Sequence, residues 1–365
     1  MAPILTCDFA VIGAGMAGAS LAAELAAGGA GVVLVEGEAA PGYHATGRSA
    51  AFWTESYGGP GVQPLTTASG PYLREHGFLT QRGALTIARA GQQAGLERFA
   101  ARFAALGVQV EPLGRDGVAA RIPGLRPDWT AGVLEPSCCD IDVAALHQHY
   151  LAMARRGGVQ LLCGARLVAA ELRSDNWRLT LGDGRVLAAD RLVNAAGAWA
   201  DDIARLAGVR PTGITPLRRT VAQLRCTPQP LARLPLVLDL AEQFYFKPDN
   251  ARLWLSPHDE TPSAPCDAAP DELDIATAIA RLETVVDWQV ERVEHRWAGL
   301  RSFAPDRLPV YGPDPRQPRF IWFAGQGGFG IQTAPAAAAL TAGLLLGRRD
   351  DGAIDPMPYS AGRFN

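Results

Sequence analysis

From Phe9 to Val35 the chain carries a single charged side chain, Glu24, in a run otherwise apolar and punctuated by glycine. Phe9 to Ile12 is a short apolar block of the kind that forms a buried strand. Gly13 to Gly18 is a turn, and Met16 to Ala27 is rich in good helix formers. Gly28 to Gly31 stops that helix, and Val32 to Val35 is a second apolar block. The pattern predicts a strand–turn–helix–strand unit with its two strands parallel. The run is long enough to suggest a membrane span. Its internal glycines, Glu24, and the lack of a preceding Lys or Arg argue against both a span and a signal peptide.

Downstream the pattern changes. Leu65 to Leu113 holds helical stretches and one strand-like piece, "GALTIAR". Asp140 to Arg155 has the spacing of an amphipathic helix. Gly182-Asp183-Gly184 predicts a hairpin turn between two alternating strands. "DRLVNAAGAW" predicts a further buried strand, followed by a helix from Ala200. Pro211 to His295 is richer in proline and in alternation ("RRTVAQLRC", "LPLVLDL", "QFYFKPD", "RLWLSP"), which predicts a mostly antiparallel sheet. The end, "FIWFAGQGGFGIQTAPAAAALTAGLLLG", returns to strand, glycine turn and Ala/Leu helix. These styles alternate along the chain. The expected architecture is therefore α/β (α+β taken as a whole). A Rossmann-like domain, discontinuous over 1–80, 140–210 and 296–365, is interleaved with a mostly antiparallel sheet domain from 81–139 and 211–295.

Composition narrows the function. With 365 residues, 48% of them hydrophobic, the chain can bury a large core. A formal net charge of -3 leaves no basic footprint for nucleic acid and no polybasic membrane patch. The six cysteines form no C-x-x-C pair, which predicts reduced thiols in a cytoplasmic protein. No metal-ligand spacing and no Ser/His/Asp constellation stands out. His44 suits a loop position, and His147, His149 and His295 suit structural ones.

Two motifs carry chemistry. The first is Gly13-x-Gly15-x-x-Gly18, followed by Glu36 at the end of the second apolar block. The glycines permit a tight turn, close approach to a pyrophosphate and close helix–strand packing. The helix start supplies free N–H groups and a positive dipole end. Glu36 suits ribose hydroxyls and would repel a 2′-phosphate. The strand before, the helix after and the acid at its expected distance together point to dinucleotide binding. The second motif is Phe323 to Ala336, where Gly327, Gly328 and Gly330 precede a helix. A helix start there would favour the electron-rich side of a reduced flavin.

Six ordered stretches, "VIGAGMAGAS", "GRSAA", "NAAGAWAD", "FYFKPD", "WAGLRSF" and "GQGGFGIQT", resemble the FAD-dependent D-amino acid oxidase family. The likeness is to its bacterial D-amino acid dehydrogenase branch, which includes D-arginine dehydrogenase, and it runs from Asp8 to about Gly347. It implies FAD as the cofactor, and because no cysteine follows Cys266 the C-terminal loop has no thiol to tether it, so non-covalent binding is expected. Gly13, Gly15, Ala17, Gly18, Glu36 and Gly37 would lie at the adenosine and pyrophosphate end. Ala45, Thr46, Gly47, Arg48, Ser49, Ala50, Ala51 and Phe52 would follow the pyrophosphate, ribityl chain and ring. Leu167 would meet the adenine, and Gly327, Gly328, Phe329, Gly330, Ile331 and Gln332 the pyrimidine side of the flavin. For the substrate the resemblance selects Tyr57, Arg219, Tyr245, Arg301 and the backbone of Gly328.

The chemistry of these residues is consistent. An amino acid brings a carboxylate, which Arg301 can clamp with two parallel hydrogen bonds. Tyr245 can donate a further one, and Arg219 can hold the same group; strand alternation sends only one of Arg218 and Arg219 inward. Hydride transfer to a flavin needs positioning rather than a side-chain nucleophile. The expected reaction is oxidative deamination to an imino acid, which hydrolyses to a 2-keto acid and ammonia. The electrons pass to oxygen or a quinone. Relatives that prefer D-arginine need an acid for its guanidinium. The matching position is Ala84, and Phe52 and Trp53 add apolar surface, so neutral, apolar D-amino acids are expected. Alternatives are oxidation of glycine, sarcosine or a cyclic imino acid, a 2-hydroxy acid dehydrogenase, and a non-catalytic flavoprotein subunit. In "WTESYGG", Tyr57 is expected on a lid that excludes water.

Overall fold

The computed structural model describes residues 4–348 and 354–364. The parts of the expected domain ranges on 1–3, 349–353 and 365 lie outside them. Leu5–Ile12 pairs in parallel with Val32–Val35 on one side and Val186–Asn194 on the other. Gln160–Leu162 extends this eight-stranded sheet at one edge, and Trp177–Leu181 and Leu167–Leu172 extend it at the other. Phe320–Ala324, parallel to Val186–Asn194, brings the C-terminal part of the chain into the same sheet.

The helix Met16–Ala27 is buried almost all round, because alanines dominate its surface. Such a helix belongs between other elements, not at a boundary with water. Its Leu21 and Leu25 share a core with Leu146 and Tyr150 of Val143–Arg156 and with Leu340 and Leu345 of Ala334–Leu346. The other face of the sheet packs Ile12, Val33, Val35 and Leu192 against Ile203 and Trp322.

A ten-stranded sheet forms the second layer. Thr215–Thr227 lies between Gln289–Phe303 and Arg252–Ser256, and Tyr245–Asp249 comes next. Leu236–Asp239, Ala84–Arg89 and Trp129–Glu135 continue the order. The pairs are antiparallel except Leu236–Asp239 with Ala84–Arg89, which is parallel. Gln289–Phe303 runs unbroken past position 296, and Gln326–Gly327 joins its edge. Arg301 and the C-terminal glycine loop therefore stand on this sheet.

Local readings shift in four places. Glu272–Glu283 is a helix inside the stretch whose alternation predicts strands. The Asp271 side chain accepts from the Leu273 amide at 2.9 Å, and Ile275, Ala278 and Leu282 pack inward. The helix expected from Asp140 begins at Val143, because Cys139–Ile141 pairs as a strand with Phe52–Trp53 and Leu79–Gln81. "DRLVN" continues the preceding strand, giving one element Val186–Asn194. The last helix starts at Ala334, several residues beyond Gly327–Gly330, so those glycines form a separate turn before it. Among the described residues no helix is long and apolar enough to cross a membrane, and all six cysteines are free thiols.

Candidate active site

A cavity of about 410 Å³ opens where the two layers meet. Gly13, Gly15 and Ala17 line it from the first glycine turn, and Glu36, Gly37 and Leu167 line it nearby. Ala45, Thr46, Arg48 and Ser49 form a further wall. Arg301, Gly327, Gly328, Gly330 and Ile331 line it from the ten-stranded sheet and the loop at its edge. Segments far apart in sequence thus converge on one space.

The first turn is built for close approach. A Cβ on Gly18 would sit 1.7 Å from the Gly13 carbonyl oxygen, so that glycine serves helix–strand packing and does not line the cavity. The Glu36 carboxylate accepts from the Ala14 amide at 2.8 Å and the Glu38 amide at 3.0 Å, which fixes the turn against the end of its strand. The Ala165 amide donates to the Glu36 carbonyl at 2.8 Å and sets Leu167 beside it. Thr46 Oγ1 accepts from the Met16 amide at 2.9 Å. The amides of Gly15 and Ala17 have no protein acceptor among the described residues. The amides of Gly330, Ile331 and Gln332 likewise have none. Free N–H groups at a helix start, and a second group at the C-terminal loop, fit a pyrophosphate and an electron-rich ring.

Other expected cofactor residues stand behind this wall. The Gly47 amide donates to the Gly42 carbonyl at 2.8 Å, and the Ala51 amide donates to Ser49 Oγ at 3.2 Å. Ala50 and Phe52 pack in an apolar cluster with Ala84 and Tyr245, and Ala51 joins the core beneath the first sheet. The Arg48 guanidinium pairs with Asp267 and donates to the carbonyls of Ala268 at 3.0 Å and Ala298 at 3.2 Å, tying the wall to the second layer. Gln332 Nε2 donates to Thr66 Oγ1 at 2.9 Å and to the Tyr57 carbonyl at 3.3 Å, so its side chain holds protein and its backbone amide remains free.

The expected substrate residues gather beside the Arg301 end. Arg301 and Arg219 come from the adjacent strands Gln289–Phe303 and Thr215–Thr227, and their side chains are 8% and 2% exposed. Arg218, next in sequence, turns away and donates to Asp274 at 2.7 Å. Arg219 is well partnered: Nε donates to the Asp259 carbonyl at 2.8 Å, Nη2 to Glu260 at 3.1 Å and Nη1 to the Tyr57 hydroxyl at 3.4 Å. Arg301 has no carboxylate partner among the described residues. Burial pulls its pKa below the ordinary guanidinium value, and Arg219 adds to that pull. Burial pushes the Tyr245 phenol up, while both arginines act against it. Tyr57 packs edge-on to Phe52 at 5.3 Å and to Phe329 at 5.1 Å between ring centroids. A Cβ on Gly328 would come within 2.7 Å of the Tyr57 hydroxyl, so only glycine lets the two meet there.

Two side chains in this region escape sequence reasoning. His258 lies 5.7 Å from Tyr245 and 6.3 Å from Tyr57, ring to ring, with Nδ1 2.8 Å from the Glu242 carbonyl. Glu135 is 2% exposed and stands opposite Ala84 on the neighbouring strand. The strand bearing Ala84 carries no acid, yet the sheet supplies one at the same level. Trp53 corrects an expectation. Its ring joins the core of the first layer, lies 4.4 Å beneath Arg74 and donates Nε1–H to the Thr66 carbonyl at 2.9 Å. Successive strand residues face opposite ways, so Phe52 alone adds apolar surface beside Tyr57 and Tyr245.

Residues 8–344 match the family of FAD dependent oxidoreductases, and the chain belongs to that family. It is an FAD-dependent oxidoreductase with FAD as its cofactor, and the converging glycine turns and free amides fit that group. Hydrogen cyanide synthase subunit HcnC of Pseudomonas aeruginosa is 27% identical over 282 residues, 73% of this chain and 63% of its own length. Glycine oxidase of Pseudomonas putida is 30% identical over 182 residues, 48% of this chain and 46% of its own length. The chain thus matches less than two thirds of either relative. Glycine oxidase from Geobacillus kaustophilus has the same fold, with a TM-score of 0.86 at 22% identity, covering 98% of each chain.

Proposed function

We propose that the chain oxidises a small, neutral α-amino acid at the carbon that bears nitrogen. The observation that carries this reading is Arg301: a buried guanidinium on the cavity wall with no carboxylate partner among the described residues. A buried cation without a counter-ion is costly, and a substrate carboxylate removes that cost. Glu260 is shared between Arg219 and Arg307, so it offers nothing to Arg301, whose positive charge is the match for one substrate carboxylate.

In this reading Arg301 takes the carboxylate bidentately and Tyr245 donates to the same group. Arg219, already held by Glu260 and the Asp259 carbonyl, supports the positive field and the Tyr57 hydroxyl. The Gly328 backbone passes close enough to bound the substrate on one side. Phe52, Tyr57 and Phe329 close the site with aromatic surface, limiting side-chain size and excluding water. Bound FAD would supply the acceptor for the hydride equivalent from the substrate's Cα. The product imino acid hydrolyses to a 2-keto acid and ammonia. The first layer would hold the cofactor and the ten-stranded sheet would cover the substrate.

Among neutral substrates, the likeness to glycine oxidases supports glycine or sarcosine ahead of larger D-amino acids. A flavin-carrying subunit of a larger assembly is a second reading, favoured by the likeness to a cyanide synthase subunit. The test is flavin bleaching by glycine, sarcosine, D-alanine, D-proline and D-arginine, with and without oxygen. Rapid bleaching by glycine, sarcosine or a small neutral D-amino acid is expected, and oxygen or a quinone then restores the colour. Bleaching by D-arginine alone would overturn the reading.

A further inference from the structure

Glu135 is the most heavily solvated-by-protein acid among the described residues near the site. Its Oε2 accepts from Thr54 Oγ1 at 2.6 Å, from Ser56 Oγ at 2.5 Å and from the Ser56 amide at 3.2 Å. Its Oε1 accepts from the Glu55 amide at 2.7 Å and from Ser137 Oγ at 3.4 Å. A carboxylate offers about four lone-pair directions. Four donors at 3.2 Å or less match that number, and the single Ser137 O–H is shared with Glu55 Oε2 at 3.3 Å. Burial raises its pKa, while the Ser56 and Thr54 hydroxyls and the two amides pull the other way.

Every donor except Ser137 comes from the three residues that lead into Tyr57. Gln332 reinforces them from the other side, with Oε1 accepting from the Thr54 amide at 3.4 Å and Nε2 donating to the Tyr57 carbonyl at 3.3 Å. The two glycines that follow, Gly58 and Gly59, have φ of 98° and 80° and end the constraint. Tyr57 is thus delivered at a fixed level between Phe52, Phe329 and Arg219.

We infer that Glu135 is the positioning residue of the substrate wall: it anchors Thr54–Ser56, sets the Tyr57 hydroxyl against Arg219, and is itself closed to a cationic substrate side chain. This rests on the proposed amino acid oxidation and extends it to specificity. The acid at the level of Ala84 is present but spent, so a guanidinium or ammonium side chain meets no free carboxylate there. It also makes Tyr57 a fastened wall and not a freely swinging lid.

The test uses the FAD-loaded enzyme and the variants Glu135→Gln, Tyr57→Phe and their combination. Benzoate is the carboxylate probe, read by the change in flavin absorption, which needs no turnover. Glu135→Gln should keep FAD and weaken benzoate about tenfold or more, the scale of a lost charge-assisted hydrogen bond. With a turning-over substrate such as glycine, the loss should fall mainly on KM. Because Glu135 acts through Tyr57, the double variant should lose little beyond the larger single effect. Additive losses, or benzoate affinity equal to the parent, would overturn the inference. So would selective loss of D-arginine oxidation with benzoate binding intact, since Glu135 would then be a substrate contact. If Glu135→Gln does not hold FAD, Thr54→Val and Ser56→Ala remove donors singly, and unchanged benzoate binding in both overturns it as well. If no amine bleaches the parent flavin while the benzoate cycle behaves as stated, the proposed substrate fails and the positioning role stands.

Discussion

Arg219 donates an Nη1–H to the Tyr57 hydroxyl at 3.4 Å, linking the ten-stranded sheet to the turn that follows Phe52–Trp53. Neither residue lines the cofactor cavity. Tyr57→Phe removes the hydroxyl and keeps the ring against Phe52 and Phe329. We expect FAD content to be unchanged and kcat/KM to fall by roughly tenfold or more, the range of one hydrogen bond to a charged group. Steady-state kinetics beside the flavin absorption spectrum checks this. Loss of FAD would place Tyr57 with the cofactor instead.

Arg301 gives opposite expectations for stability and activity. It is buried without a carboxylate partner among the described residues, so its charge is a cost until substrate arrives. Arg301→Met should lower kcat/KM by about a hundredfold or more, because truncating one member of a buried charge pair weakens binding strongly. The melting temperature of the substrate-free protein should hold or rise. A clear fall in melting temperature would mean that Arg301 has a structural partner.

Glu36 tests the other end of the cavity. Its carboxylate receives amides from Ala14 and Glu38, one on each side of its strand end. Glu36→Gln replaces one accepting oxygen with an N–H group that faces another donor. The glycine turn should loosen, and FAD should bind about tenfold more weakly or worse. Titration of apoprotein with FAD, followed by flavin fluorescence, gives the number. Unchanged affinity would leave Glu36 with no role in holding the turn.

What the sequence makes legible is what neighbours in sequence can encode. The strand, glycine turn, helix and second strand from Leu5 to Val35 are local, and their periodicities announce them. The helix Glu272–Glu283 was equally local, with Asp271 as a cap and Ile275, Ala278, Ile279 and Leu282 at helical spacing. It was hidden only because its surroundings alternate. Trp53 was recoverable from the period of a strand, which sends it away from Phe52. Glu135 was not, because its relation to Ala84 exists only once Ala84–Arg89 and Trp129–Glu135 pair. Arg301 is recognisable by its motif, but its lack of a partner depends on which acids the fold brings near.

His258 sits in no motif and lies in the link between Arg252–Ser256 and Thr261–Pro262, with φ of 56°, a conformation that histidine and asparagine enter more readily than most residues. Tyr57 and Tyr245 cover its ring, and Arg219, Glu260 and Arg307 are the charged groups around it. Burial first, and then Arg219, lower its pKa to about 4, against about 6.5 for a free imidazole. Between these values the unfolded chain binds a proton that the folded chain refuses. The stability contribution is therefore complete above about pH 6.5 and is lost as pH falls toward about 4. His258→Asn keeps a residue suited to the backbone and removes the titration. We expect the variant to lose less stability than the parent between about pH 6.5 and 4, with the two slopes converging at neutral pH. Urea unfolding at a series of pH values measures both slopes. Parallel curves across that window would mean that His258 carries its proton equally well in the folded protein, and that Arg219 and the tyrosines do not hold it neutral.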